Sequence, residues 1–367
     1  MPAGGAAPLP EFPWDRLVPY GDLARAHPGG IADLSVGTPV DATPGAVQSA
    51  LRSRADAPGY PPTAGTPALR AAIQGWLSRR LGVSDSVAVL PTVGSKELVA
   101  LLPWLLGARG GVAFPDLAYP TYDVGARLAG CTPVPWPVAG PAVEGPADGG
   151  VSLLWVNSPA NPTGAVLDAE ILRAIVTWGR ESGTLVASDE CYIEFGWDAE
   201  PVSVLHPSVC GESHEGVLAV HSLSKRSNMA GYRAGFVAGD PDVVARLLEV
   251  RKHAGLMVPG PVQAAMIAAL DDDDYVAEQR ERYRRRRAAL MPALAAAGFR
   301  IEASEAGLYL WCTRGEDCWA SVRWLADRGI LVAPGEFYGA AGAQHVRVAL
   351  TATDDRVVAA AERLGRG

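Results

Sequence analysis

The chain has 367 residues, 49% hydrophobic and 20% charged, with a formal net charge of -8. This is the composition of a globular protein large enough for a sizeable core and two domains, and its negative balance argues against nucleic acid or an anionic membrane surface as a general partner. Five scattered cysteines (Cys131, Cys191, Cys210, Cys312 and Cys318) contain no C-x-x-C pair, so neither a metal cluster nor a disulfide framework is expected, which suits a reducing cytoplasm.

The N-terminal M-P-A-G-G-A-A-P-L-P has no basic region followed by an apolar run and does not read as a secretion signal. No apolar stretch reaches the roughly 18–20 residues that span a bilayer. V-A-V-L (87–90) reads as a buried strand leading into a helical pattern after Ser95. G-V-A-F (111–114), V-S-L-L-W-V (151–156), T-L-V-A-S (184–188) and V-L-A-V (217–220) read as further strands, with helical patterns near 168–182 and 241–254 among them. The Gly/Pro-rich residues 140–150 predict a surface loop. This alternation predicts an α/β fold with a mostly parallel central sheet covered by helices on both faces.

From about residue 271 the run D-D-D-D-Y-V-A-E-Q-R-E-R-Y-R-R-R-R begins acidic and turns basic. It predicts one long solvated helix whose charges complement its dipole. A phosphate or nucleic-acid patch at Arg284 to Arg287 has no motif behind it. A-G-L-Y-L-W-C (306–312) and H-V-R-V-A-L (345–350) predict strands of a smaller α+β unit. The expected division is a large domain over 46–275 and a small discontinuous domain built from 1–45 and 276–367.

Lys225 lies in H-S-L-S-K-R-S-N-M-A-G-Y-R-A-G-F, residues 221–236, directly after a predicted strand. Ligands gather at the carboxyl ends of strands in open α/β sheets. Ser222, Ser224 and Arg233 supply hydroxyls and a guanidinium suited to a phosphate. A lysine of ordinary pKa, about 10.4, is mostly protonated at neutral pH, but bonded to an aldehyde it becomes part of an electron sink. A lysine beside a phosphate pocket points to pyridoxal phosphate.

Ser222, Leu223, Ser224, Lys225, Asn228, Met229, Gly231, Arg233, Ala234 and Gly235 together resemble the lysine-attachment motif of the class I/II, fold-type I aminotransferases. The resemblance implies a homodimer of two-domain subunits with pyridoxal 5'-phosphate as cofactor, and it assigns roles in chain order. Gly37, in D-L-S-V-G-T-P, resembles the glycine whose backbone approaches the substrate. Tyr60, in G-Y-P-P-T-A-G, resembles the tyrosine that reaches the partner subunit's cofactor phosphate. Gly94, Ser95 and Lys96 open a helix where backbone N–H groups make an anion site, although Lys96 itself also suits a solvated first turn. Tyr119 matches the aromatic that stacks on the pyridine ring, or else a core tyrosine. Asn161, in N-S-P-A-N-P-T-G, and Tyr192 resemble the two residues that bond the cofactor's phenolic oxygen. The same N-P-T-G also reads as a plain turn, and Asn161–Pro162 suits a cis bond.

Asp189 matches the aspartate that salt-bridges the pyridine nitrogen, a position where strand-end turns also place Asp. Arg347 matches the arginine that grips the substrate α-carboxylate, although an arginine in an alternating strand also suits solvent. With Lys225 as the group that moves the substrate proton, the resemblance implies transamination with ping-pong kinetics. The wording around Lys225, with R-K-H-A-G-L-M-V-P-G-P-V-Q-A-A-M after it, is similar to the actinobacterial N-succinyldiaminopimelate aminotransferases. These exchange an amino group between glutamate and N-succinyl-2-amino-6-oxopimelate. Arg251 and Lys252 are candidates for a distal carboxylate, or a surface pair. An aminotransferase for aspartate, aromatic or branched amino acids would share these motifs, and a lyase or decarboxylase would share Lys225. A cofactor-sensing regulator would need a DNA-binding module that is not visible.

Overall fold

The computed structural model describes residues 9–84, 87–138 and 150–365; apart from Gly150, the loop expected at 140–150 lies outside them. The strands in chain order are β1 (Ala32–Asp33), β2 (Ala88–Val93), β3 (Gly111–Pro115), β4 (Thr132–Trp136), β5 (Val151–Asn157), β6 (Leu185–Asp189), β7 (Val217–Ser222), β8 (Ala234–Gly239), β9 (Arg300–Glu302), β10 (Tyr309–Thr313), β11 (Ile330–Leu331), β12 (Ala333–Pro334) and β13 (His345–Ala349).

Seven of them form one sheet in the order β2-β8-β7-β6-β5-β3-β4. Its β7–β6–β5–β3–β4 part is parallel, while β8 runs antiparallel to both β7 and β2. Strands buried on both faces need continuous apolar runs, and every residue of β7 and β8 is buried. One face carries Trp76, Ile175, Val186 and Met266, and the other carries Leu98, Leu102, Tyr122 and Trp155. This is the expected α/β architecture, a mostly parallel central sheet covered by helices on both faces.

The covering helices begin and end on local chemistry. Asp168 caps the Ala169–Ser182 helix by accepting from the Glu170 and Ile171 amides, and Gly183 closes it in the left-handed conformation at φ 70°. Asp240 and Gly255 do the same for Pro241–Ala254, as capping principles expect. No helix among the described residues is long and apolar enough to cross a membrane.

A second sheet, β12-β13-β10-β9, is antiparallel. β1 pairs in parallel with β11, so the N-terminal segment packs beside the C-terminal elements, and Leu17, Ala24 and Leu34 share a core with Leu290, Leu310 and Val348. The strand expected at 306–312 begins only at Tyr309. Gly307 takes φ 78°, and Ala306 bridges Gly196 instead.

The helix expected as wholly solvated runs Asp273–Ala296 and buries one face through Val276, Gln279, Tyr283, Arg286, Leu290 and Leu294. The acidic-to-basic reading obscured a buried stripe that contains an arginine. Arg286 makes two bonds to Asp41, at 2.6 and 2.9 Å, and one to Asp354 at 2.6 Å. Arg284 and Arg285 pair with Glu281, and Arg287 pairs with Asp198, so each of the four arginines meets a carboxylate of this chain. Gln279 continues the network, donating to Asp41 at 2.8 Å and accepting from Asn228 of the lysine loop at 3.1 Å.

Burial pushes the Asp41 carboxyl up, but bonds from Arg286 and Gln279 outweigh it and hold it below the usual carboxylate range. Its contribution to stability is therefore present above that range and lost as pH falls through the lowered folded value. Asp41→Ala leaves a buried guanidinium short of its main counter-ion and should cost about 3 kcal/mol of unfolding free energy, read as a lower urea midpoint. The deficit should shrink as the wild type is acidified.

Candidate active site

Strand register assembles the site. Asn157 pairs opposite Asp189, Asp189 opposite Val220, Ser222 opposite Gly235, and Gly235 in turn opposite Thr92. The ends of β2, β5, β6 and β7 and the start of β8 thus lie along one sheet edge, where the loops carry the chemistry.

At the β2 end the chain passes straight into the Gly94–Leu105 helix. Gly94 has φ 73°, and a Cβ there would lie 2.3 Å from an Arg233 guanidinium nitrogen. A Cβ on Gly235 would lie 3.0 Å from both the Gly94 carbonyl carbon and the Ser95 nitrogen. Two backbones thus meet without side chains between them, and the first amides of the helix stay open as an anion cradle. Arg233 is itself left-handed at φ 55°, and its guanidinium donates to the Ala230 carbonyl at 2.8 Å, which holds it over the helix start. Glu97 secures the first turn by accepting from the Val93 amide at 3.2 Å.

Arg251 is fully buried and spends both terminal nitrogens on Glu97, at 2.8 and 3.1 Å. It braces the cradle from behind and is not a cation for a distal carboxylate. Lys252 forms the surface pair, with Glu249 at 2.6 Å.

Lys225 sits in the turn Leu223–Arg226, entered through Ser222, whose hydroxyl accepts from the Ser224 amide at 3.1 Å. Its ammonium donates to the Gly37 carbonyl, and burial holds its pKa below the ordinary lysine range. Asp189 is buried. Its carboxylate accepts from the Tyr122 hydroxyl at 3.0 Å and the Cys191 amide at 3.2 Å, and burial raises its pKa. Asn157 ties the neighbouring loop to this point: it donates to the Asp189 carbonyl at 2.9 Å and accepts from the Asn161 amide at 2.8 Å. The Asn161–Pro162 bond is cis.

On the facing side Arg347 is buried in a strand whose flanking Val346 and Val348 are buried too, which removes the solvent-facing alternative. Its terminal nitrogens donate to Asn161 Oδ1 at 2.9 Å and the Ser35 carbonyl at 2.7 Å. Its guanidinium carbon lies 4.0 Å from the Tyr309 ring centre and 4.9 Å from that of Tyr338, within cation–π range. The Tyr192 and Tyr309 hydroxyls are 2.9 Å apart. Half-buried Tyr119 stands edge-on to Tyr122, and the Lys96 ammonium leans to 5.8 Å from its ring centre.

The fold therefore brings together Gly37, Gly94, Ser95, Lys96, Tyr119, Asn161, Asp189, Tyr192, Ser222, Ser224, Lys225, Arg233 and Arg347. Tyr60, 96% exposed, takes no part in these contacts within one chain. Gly37 is constrained differently from expectation, since a Cβ there would lie 2.0 Å from the Tyr309 oxygen. Asn157, Tyr122 and Tyr309 were not singled out by sequence. Asn157 opens N-S-P-A-N-P-T-G, and Tyr122 closes D-L-A-Y-P-T-Y in the first turn of the Thr121–Leu128 helix.

Residues 30–364 match the family model described as aminotransferase class I and II. The chain is 60% identical to the 4-dedimethylamino-4-oxo-anhydrotetracycline transaminase OxyQ of Streptomyces rimosus, over 97% of this chain and 99% of that protein. It is 61% identical to the aminotransferase Rv1178 of Mycobacterium tuberculosis, over 98% and 86%, and 33% identical to an LL-diaminopimelate aminotransferase of Desulforudis audaxviator, over 97% and 95%. Among solved structures, an aminotransferase from Neisseria meningitidis superposes with a TM-score of 0.87 at 32% identity, covering 97% of each chain.

Gly94→Ala combines a strained φ with a clash against Arg233. It should weaken retention of a phosphate-bearing cofactor by about tenfold, a loss of roughly one good hydrogen bond to a charged group, read as cofactor remaining after dialysis.

Proposed function

The chain belongs to the class I and II aminotransferases, and from that premise we propose that it transfers an amino group from glutamate to N-succinyl-2-amino-6-oxopimelate, a step of diaminopimelate and lysine formation, in the cytoplasm. Its cofactor is pyridoxal 5'-phosphate, and its substrates are amino and oxo acids. The donor set fits that cofactor: a side-chain-free cradle at Gly94 and Gly235 beside Arg233, a buried carboxylate at Asp189, and a half-buried amine at Lys225 whose pKa is lowered.

The observation that carries the reading is the buried Arg347 guanidinium sharing one cleft with Lys225. In this assignment the cradle at Gly94, Ser95 and Lys96, with Ser222, Ser224 and Arg233, would hold the phosphate. Tyr119 would lie against the ring, and Asn161 and Tyr192 would serve its phenolic oxygen. Asp189 would serve the pyridine nitrogen. Burial raises its pKa, and a cationic partner would favour its ionised form. When bound, the cofactor supplies an electron sink for negative charge at the substrate α-carbon. Arg347 holds the α-carboxylate and thereby sets the direction of the α C–H bond. Lys225, its pKa lowered by burial, would take the α-proton and hold it for return, as general base and then acid. Gly37 offers the carbonyl that parks the Lys225 ammonium.

The functional unit in this reading is a homodimer. The large cofactor-binding domain spans 46–275, and the small domain combines 1–45 with 276–367. Support comes from the exposure of Tyr60, which suits a side chain lent to a partner's site, and from the core that residues 17–34 share with residues 283–364.

A second acceptor class is favoured by a specific observation. A succinylated acceptor carries anionic groups remote from Arg347, and Arg251 is already committed to Glu97. The 60% identity to OxyQ over nearly the whole chain supports a ketone on a fused-ring scaffold instead. The aminated enzyme, prepared with glutamate, should regain its visible band with N-succinyl-2-amino-6-oxopimelate. Recovery only with a cyclic ketone would transfer the assignment to the second class, and a band that glutamate never bleaches would remove transamination. Lys225→Ala should lower turnover at least about 10³-fold, measured as 2-oxoglutarate formation in a single turnover. Arg347→Ala should act mainly on KM for the amino acid.

A further inference from the structure

Tyr309 lies in a stretch, A-G-L-Y-L-W-C, that reads only as strand, yet its hydroxyl is where the two sides of the cleft meet. β10 runs antiparallel to β13 with Trp311 opposite Arg347 and Tyr309 opposite Ala349. This register puts the Tyr309 ring beneath the guanidinium, 4.0 Å from its carbon. The ring meets Tyr192 edge-to-face at 5.6 Å, and the two hydroxyls are 2.9 Å apart. On its other side the Tyr309 oxygen abuts Gly37, leaving no room for a Cβ. Gly37 in turn accepts from Lys225. Tyr309 is only 3% exposed, so its hydroxyl depends on protein partners. A phenylalanine would serve the packing and the cation–π contact equally well, whereas a buried hydroxyl is costly unless it is bonded.

We propose that Tyr309 is a positioning residue for Tyr192: its hydroxyl donates to the Tyr192 oxygen, so that the Tyr192 proton is committed to the cofactor's phenolic oxygen. The 2.9 Å contact permits either oxygen to donate. Only one direction leaves Tyr192 with a proton for the cofactor, and hydrogen bonds in series strengthen one another. The proposal rests on the cofactor-site reading of Tyr192 given above, and it makes the floor of the carboxylate pocket part of the cofactor's hydrogen-bond chain.

The charged and titratable groups facing this chain are Arg347, Tyr338, Cys191, Arg233 and Lys225. Burial holds Tyr192, Tyr338 and the Cys191 thiol above their usual ranges, so these stay neutral through the ordinary working pH. A donor aimed at the ionised phenolic oxygen favours that ionised form. Weakening the donor must therefore raise the pH midpoint of the holoenzyme's visible absorption.

The test is a spectrophotometric pH titration of the holoenzyme and its variants, with no substrate present. Tyr309→Phe should raise the midpoint by about half to one unit, the equivalent of one hydrogen bond, and Tyr192→Phe should raise it at least as far. The double variant should move no further than Tyr192→Phe alone, since the two act in series. A midpoint that moves in Tyr192→Phe but not in Tyr309→Phe, even with an altered KM, overturns this proposal and leaves the site reading intact. A holoenzyme preparation with no visible band overturns both.

Discussion

The register of the central sheet is the constraint on which the rest depends. Parallel strands buried on both faces fix their side chains only through neighbours, and a slip of one residue would reverse every one of them. Here the pairing of Asn157 with Asp189 and of Ser222 with Gly235 lines up an amide, a carboxylate, a hydroxyl and a side-chain-free backbone along one edge. Each strand contributes one functional group within a residue or two of its end. The antiparallel β8 then brings Arg233 back to the start of the helix that β2 feeds. Chemistry that looks scattered over 140 positions, from Gly94 to Arg233, is local once that register is set.

Buried charge organises the periphery in the same manner. Arg251, Arg286 and Arg347 are all nearly inaccessible, and each has a different kind of partner: one carboxylate, two carboxylates, and neutral oxygens with aromatic faces. The first two are neutralised within the chain and act as braces. Arg347 faces no carboxylate in its bonds, and its charge is met only by neutral oxygens and aromatic faces. This difference in partners separates it from the two bracing arginines.

Much of this was legible in the sequence, and the boundary of legibility is physical. Strand ends were readable because buried parallel strands are continuous apolar runs, and the family was readable because the lysine loop carries particular residue types at fixed spacing. The helix at Asp273–Ala296 was misread because its buried stripe includes Gln279 and Arg286, polar residues that periodicity assigns to solvent. Their partners Asp41 and Asn228 lie far off in the chain. Arg251 was misplaced for the same reason, since its partner Glu97 is 154 positions away. Tyr122 and Tyr309 were missed because a tyrosine on a buried strand or helix face carries no mark showing whether its hydroxyl is used.

The closeness of Gly94, Gly235 and Arg233 has a bearing on how such a protein can change. Two backbones pressed together with no Cβ between them give variation nothing to act upon, because nearly any substitution collides before it can adjust affinity. The cleft's other wall, the β10–β13 sheet beside residues 35–40, is held by the contacts of Arg347, Tyr309 and Gly37, and only side chains outside those contacts can be exchanged one at a time. Novelty in the molecule transformed can therefore accumulate on that wall while the cofactor half stays fixed. In that arrangement, relatives that share an unaltered reaction centre can part company over what they aminate.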